Sequence, residues 1–147
     1  MKRFVVLSIL TGMLFSSCHY VTGDKIKGNG KVVTQNRSFS GFTGVDVSNA
    51  IQLYVKQDTA FSVKVETDDN LQQYILVRQD GSTLYIKQKD NTNLDATGKI
   101  KVYVSAPLFK SLEASGACDI KGETLLTATD EIDVDVSGAS SAELELK

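Results

Sequence analysis

Apolar residues recur at every second position through most of this chain, and that period restricts it to strands. Val45, Val47, Ile51, Leu53 and Val55 fall on one parity, as do Phe61, Val63 and Val65, and later Ile100, Val102 and Val104. A helix would place its apolar residues three and four apart, whereas alternation buries one face of an extended segment. An all-β fold is therefore predicted. The turn chemistry agrees: Asp80-Gly81 stands between ILVRQ and STLYIKQ, as a tight hairpin requires. The single proline, Pro107, separates two strand-like segments, where its missing N–H breaks no ladder bond. Asp68 to Tyr74 is the one place that reads as a helical turn.

The alternation also repeats itself. When VDVSNAIQLYV (45–55), LEASGACDIKG (112–122) and VDVSGASSAEL (134–144) are superimposed, Ser48, Ser115 and Ser137 coincide, each followed two residues later by alanine. The last two copies lie 22 residues apart and the first lies 67 residues upstream, close to three such steps. A step of that size suits a β-solenoid, whose rungs bury their apolar faces by stacking on one another. The inward parity of the last rung then reads Val134, Val136, Gly138, Ser140, Ala142, Leu144 and Leu146. Cys118 falls on the inward parity, in register with Ile51 and Ser140, and reads as a buried, inert thiol. A solenoid that stops on a bare strand leaves unpaired N–H and C=O groups. Further rungs are therefore expected after Lys147, or a second protomer on that edge.

The N-terminus carries a different signal. MKRFVVLSILTGMLFSSC has Lys2 and Arg3, an apolar run from Phe4 to Phe15, and small residues before Cys18. That is the layout of an export signal, too short for a permanent membrane span. Cys18 directly after Ser16-Ser17 resembles a lipobox, with Phe15 where leucine is usual, so residues 1–17 read as a lipoprotein signal peptide and Cys18 as the lipidated residue. The alternative is an ordinary secretory signal with an incidental cysteine. With Cys18 lipidated, Cys118 is the only thiol left and no internal disulfide can form. Residues 18–30 are polar and glycine-rich and read as a flexible tether, and 31–147 as the folded domain, incomplete at its C-terminus.

The blocks RSFSGFTGVDVSNAIQLYV, FSVKVETDDNLQQYI, GSTLYIK, KVYVSAPLFKSLEASGACDIKG and VDVSGASSAELELK together resemble the auto-transporter adhesin, head GIN domain family, over about residues 28–147. That family is common in cell-envelope proteins of Bacteroidetes. The resemblance implies parallel strands coiled into a right-handed β-solenoid, usually continued through more SGASSA-type rungs. It carries no established catalytic motif and no cofactor.

Composition and residue inventory remove most chemistry. The 147 residues carry a net charge of −2, with no concentrated Lys/Arg excess to hold phosphates, so nucleic acid is excluded. The only histidine, His19, adjoins the proposed anchor, which leaves none in the domain for a nucleophile–histidine arrangement or a histidine zinc site. Asp133 with Asp135, or Glu143 with Glu145, lie roughly 7 Å apart along a strand, near the separation of a glycosidase pair. Their outward, serine-rich parity reads instead as a solvated face. Asp90, Asn93 and Asp95 are a weak candidate for calcium, without EF-hand spacing, against an ordinary Asn/Asp turn. Asp58-Thr59-Ala60 resembles a short O-glycosylation signal of Bacteroidetes, which makes Thr59 a candidate acceptor.

The resulting expectation is a non-enzymatic, lipid-anchored module of the outer membrane or cell envelope. Flat polar faces would meet a glycan or a protein. The alternatives are a carbohydrate-active β-helical enzyme and an envelope scaffold that self-associates through its edge strands. HYVTGD after Cys18 lacks an acidic surface-export run, so the surface and periplasmic faces both stay open.

Overall fold

The structure is a computed structural model that describes residues 23–128 and 131–147. Residues 1–17, which read as a signal peptide, lie outside the described residues, as do Cys18 and His19. The described part is all-β, apart from one 3-10 turn at Asp69–Tyr74. Its strands are β1 (Asp24–Lys27), β2 (Val32–Arg37), β3 (Gly44–Ser48), β4 (Ile51–Gln57), β5 (Ser62–Asp68), β6 (Ile75–Asp80) and β7 (Thr83–Gln88). They continue as β8 (Thr92–Asp95), β9 (Ile100–Ala106), β10 (Ser111–Ser115), β11 (Asp119–Gly122), β12 (Asp133–Val136) and β13 (Ser141–Glu143). β1 falls within the segment 18–30 that reads as a tether; it pairs in parallel with β8 as a separate two-stranded sheet.

Two larger sheets share one core. The first has the order β12-β10-β3-β7-β6 and the second β13-β11-β4-β9-β5-β2. Val45, Val47, Leu84, Ile86 and Leu112 from the first meet Ile51, Leu53, Val65, Val102 and Ile120 from the second in a single buried cluster. Each of these residues occupies the apolar parity of its strand, so the period-two pattern becomes the two inner faces of the packed sheets.

The chain crosses between the sheets at a repeated corner. β3 runs into β4 through Asn49 (φ 67°) and Ala50 (φ 56°), β10 into β11 past Gly116 (φ 85°), and β12 into β13 past Gly138 (φ 73°). A left-handed residue reverses the chain within a few positions, which is why Asn and Gly stand there. The three serine motifs are these corners. Ser48 pairs directly with Ser115, and Ala114 with Val136 before the third corner.

The expected right-handed parallel β-solenoid of stacked 22-residue rungs is not what forms. Both main sheets are mixed: β2 with β5, β5 with β9 and β6 with β7 are antiparallel. The interval between Ser48 and Ser115 does not hold three further rungs, because those two residues are immediate neighbours across a ladder. The intervening chain is spent on the β6–β7 hairpin, closed by Gly81-Ser82, and on β5, which runs against β9. A two-residue turn joins antiparallel neighbours only, so Asp80-Gly81 forces a reversal that a parallel coil cannot contain. The last rung is also less buried than its parity suggests, since β12 and β13 are edge strands: Val136 is 37% and Leu146 51% exposed.

Candidate binding face

The outer face of the six-stranded sheet carries the polar parity of its strands, and the strand registers decide which of those residues meet. Glu143 pairs with Lys121, Lys121 with Tyr54, Tyr54 with Tyr103, Tyr103 with Lys64 and Lys64 with Asn36. These six residues, drawn from six strands, form one row across the sheet. At about 4.8 Å per strand the row is about 24 Å long.

Its centre is aromatic. The rings of Tyr54 and Tyr103 stack with centroids 4.9 Å apart and planes at 20°. Such a cross-strand pair stiffens the sheet and adds roughly 0.5–1.5 kcal/mol beyond area burial. Burial pushes the Tyr103 hydroxyl above the ordinary phenol value, so it stays protonated and able to donate.

The stacked pair is a ridge between two depressions. On the Tyr54 side a hollow of about 450 Å³ is bordered by Lys121, Glu123, Glu143 and Glu145. On the Tyr103 side a hollow of about 320 Å³ is bordered by Lys56, Ser62, Lys64, Ser105 and again Glu123. Ser62 and Lys64 also border a wider, more open hollow of about 730 Å³ at the β2 edge, where Asn36, Phe39 and Phe61 line it. The three hollows adjoin in that order, and the last turns over the β2 edge, where Gln79 of β6 also lines it.

A second row lies beside this one on the same face, two residues along each strand. There Ser141 donates its hydroxyl to Asp119 Oδ1 at 2.7 Å, and Gln52 Nε2 donates to Asp119 Oδ2 at 3.3 Å. Those bonds, the Ser141 hydroxyl foremost, hold the Asp119 carboxyl below the usual carboxylate range. Lys101 Nζ bonds Glu66 Oε1 at 3.0 Å in the same row, which raises the lysine's pKa. The polar groups of this second row are thus bonded to one another. Among the described residues, the side chains of Asn36, Lys64, Lys121, Glu123 and Glu143 make no such bond.

The residues singled out from sequence are scattered relative to this face. Glu143 and Glu145 border the Tyr54 hollow, whereas Asp133 and Asp135 stand exposed on β12 in the other sheet. Asp90 is held by Lys87 Nζ at 2.9 Å and Asp95 by Lys25 Nζ at 3.3 Å, so both carboxylates have ammonium partners; Asn93 sits between them in β8. Among the described residues no group of three or more His, Cys, Asp or Glu side chains is arranged to hold a metal. Thr59 is exposed in the β4–β5 turn, its amide donating to Asp58 Oδ1 at 2.7 Å. Cys118 is fully buried, and its amide donates to Ser140 Oγ at 3.1 Å. The tyrosine row went unread in the sequence. Its only trace is a tyrosine on the polar parity of two alternating segments, QLYVK and KVYVS.

Known proteins resemble the chain in sequence and in fold. No curated protein matches it. A solved structure of a "putative adhesin" from Bacteroides fragilis superposes with a TM-score of 0.75 at 21% identity, covering 83% of this chain and 58% of that one. A "putative lipid binding protein" from Parabacteroides distasonis gives 0.74 at 23% identity, covering 84% and 53%. A "putative adhesin" from Parabacteroides merdae gives 0.68 at 21%, covering 84% and 55%. The chain thus spans a little over half the length of these structures, and they share its fold. The family model described as "Putative auto-transporter adhesin, head GIN domain" matches residues 41–147, and the chain belongs to that family.

Proposed function

We propose that this chain is a non-enzymatic binding module of the cell envelope, adhesin-like, held to the outer membrane by lipid on Cys18. The observation that carries the reading is the tyrosine row. A stacked aromatic pair, flanked by polar side chains that have no partner among the described residues, lies beside a row on the same face whose own polar groups are paired. Surfaces that bind keep aromatic area and spare hydrogen-bonding groups at the point of contact, on a rigid support. Membership of an adhesin family and the export signal before Cys18 support the location.

The anchor is tested by fractionating native cells that express the wild type or Cys18→Ala. The wild type is expected in the membrane fraction and the variant in the soluble one; a variant that stays with the membrane removes the lipid from the proposal. Protease added to intact cells digests a surface-facing domain and spares a periplasm-facing one. The face is tested by binding the soluble protein to isolated envelope fractions. Tyr54→Ala and Tyr103→Ala are expected to lose that binding.

A second reading, self-association, is favoured by the edge formed by β12 and β13. Both strands end their sheets, and Val136 and Leu146 are exposed there. An open strand edge with apolar side chains recruits further strands. Sedimentation at rising concentration is expected to show a growing oligomer that Val136→Lys abolishes; a monomer throughout rejects this reading.

A further inference from the structure

We infer that the row from Glu143 to Asn36 is a site for an uncharged, linear polysaccharide laid across the strands of the six-stranded sheet. The inference rests on the binding-module reading and names its ligand. Three features of the row select that chemistry.

The first is shape. The hollows at Tyr54 and Tyr103 adjoin through Glu123, and the latter adjoins the wider one at the β2 edge through Ser62 and Lys64, so the site is open and elongated beside a row of about 24 Å and not a closed pocket. An extended polymer fills a track; a compact metabolite leaves most of it empty. A peptide is captured through a free strand edge or an apolar groove. This row runs across the face of the sheet from strand to strand, so a chain laid along it lies across the strands and not alongside an edge, and its lining mixes polar side chains with apolar ones such as Leu125 and Leu144.

The second is the ridge. In a stacked pair the inner ring faces cover one another and the outer ones point apart, so Tyr54 turns an aromatic face toward its hollow and Tyr103 toward the other. A sugar ring has the matching surface. Its C–H groups form an apolar patch for an aromatic face, while its rim of hydroxyls needs donors and acceptors together. Lys64 and Lys121 donate, Glu123 and Glu143 accept, and Asn36 and the tyrosine hydroxyls do both.

The third is charge. Ammonium and carboxylate groups are interleaved along the row, with Glu123, Glu143 and Glu145 around the single Lys121 in the Tyr54 hollow. A polyuronate would meet Glu123, Glu143 and Glu145 in the Tyr54 hollow and Asp58 and Glu123 in the Tyr103 hollow and be repelled there; the hollow at Asn36, lined by Arg37 and Lys64 without a carboxylate, is the one stretch that would accept its charge. An uncharged chain meets no such penalty.

The test is affinity electrophoresis and calorimetry of the soluble chain from residue 19 with three neutral linear polymers, hydroxyethyl cellulose, mixed-linkage β-glucan and glucomannan, and with polygalacturonate. At least one neutral polymer is expected to retard the protein and polygalacturonate is not. Tyr54→Ala and Tyr103→Ala are each expected to weaken binding about tenfold or more, with Tyr103→Phe, which keeps the ring and loses the hydroxyl, falling between Tyr103→Ala and wild type. Tyr85→Ala removes a tyrosine from the other sheet, where Arg78 covers its ring at 4.8 Å, and is expected to change nothing. Where a tyrosine variant fails to fold, Lys64→Ala and Lys121→Ala read the same track from its rim. Binding by none of the neutral polymers, equal or tighter binding of polygalacturonate, or folded track variants that bind like wild type would each overturn the inference. If the tyrosine variants lose binding to envelope fractions while no neutral polymer is retained, the ligand class falls and the binding face stands. If both bindings are absent, both fall.

Discussion

Gly138 sits so close to Gly116 that a Cβ on it would lie 2.7 Å from the Gly116 carbonyl oxygen. The two glycines hold equivalent corners between the sheets, both at positive φ, and the Ala139 amide donates to the Gly116 carbonyl at 2.8 Å. Close stacking of backbone on backbone is what the Ser-Gly-Ala repeat makes possible. Gly138→Ala adds a steric clash to an unfavourable φ and is expected to cost about 1–3 kcal/mol. Gly98, with open space around it, provides the control: Gly98→Ala is expected within about 0.5 kcal/mol of wild type. Chemical denaturation midpoints decide, and equal midpoints for the two variants would refute the account.

Asp68 ties the small β1–β8 sheet to the body of the protein. Its buried carboxylate accepts the Gly30 amide at 2.7 Å, the Thr97 amide at 2.9 Å and the Thr97 hydroxyl at 2.8 Å. Burial alone would push this carboxyl up, but the donors from Thr97 and Gly30 outweigh it and hold the pKa below the ordinary value. A carboxylate depressed in the folded state contributes stability above its unfolded pKa, about 3.9, and loses that contribution as pH falls through the folded value. Asp68→Asn is expected to cost about 1.5–3 kcal/mol at neutral pH. It should also remove part of the wild type's loss of stability below about pH 4. Parallel denaturation curves of the two proteins across that range would contradict the assignment.

Thr67, the residue before it, is buried with its hydroxyl unbonded. Replacing that hydroxyl by a methyl removes a desolvated polar group and keeps the shape. Thr67→Val is expected to stabilise the protein by about 1 kcal/mol, read as a rise in thermal midpoint, whereas Thr67→Ala leaves a gap and destabilises.

Cys118 lies fully buried beside the first and third corners. Burial raises its thiol pKa, and a protonated, inaccessible thiol is a poor nucleophile. In the soluble chain with Cys18 replaced, an aromatic disulfide reagent is expected to label Cys118 only as fast as the protein unfolds. Rapid labelling of the native state would show an opening at this corner.

The sequence by itself determined that the chain is all-β and which face its central strands bury. Val45, Val47, Ile51, Leu53 and Val55 were legible as core because alternation is a property of neighbouring residues, and all five are fully buried. The reversal at Asp80-Gly81 and the helical turn before Ile75 were legible for the same reason, since each rests on a short local pattern, whereas the direct pairing of Ser48 with Ser115 was not. Tertiary structure alone decided which strands run antiparallel. Alternation states which side of a strand is apolar and is silent on the direction of its neighbour, so a 67-residue interval could be read as three rungs when it holds a hairpin and a reversed strand. It alone also built the candidate site: Asn36, Tyr54, Lys64, Tyr103, Lys121 and Glu143 come from six strands, and only the inter-strand hydrogen bonds that set the registers bring them into one row.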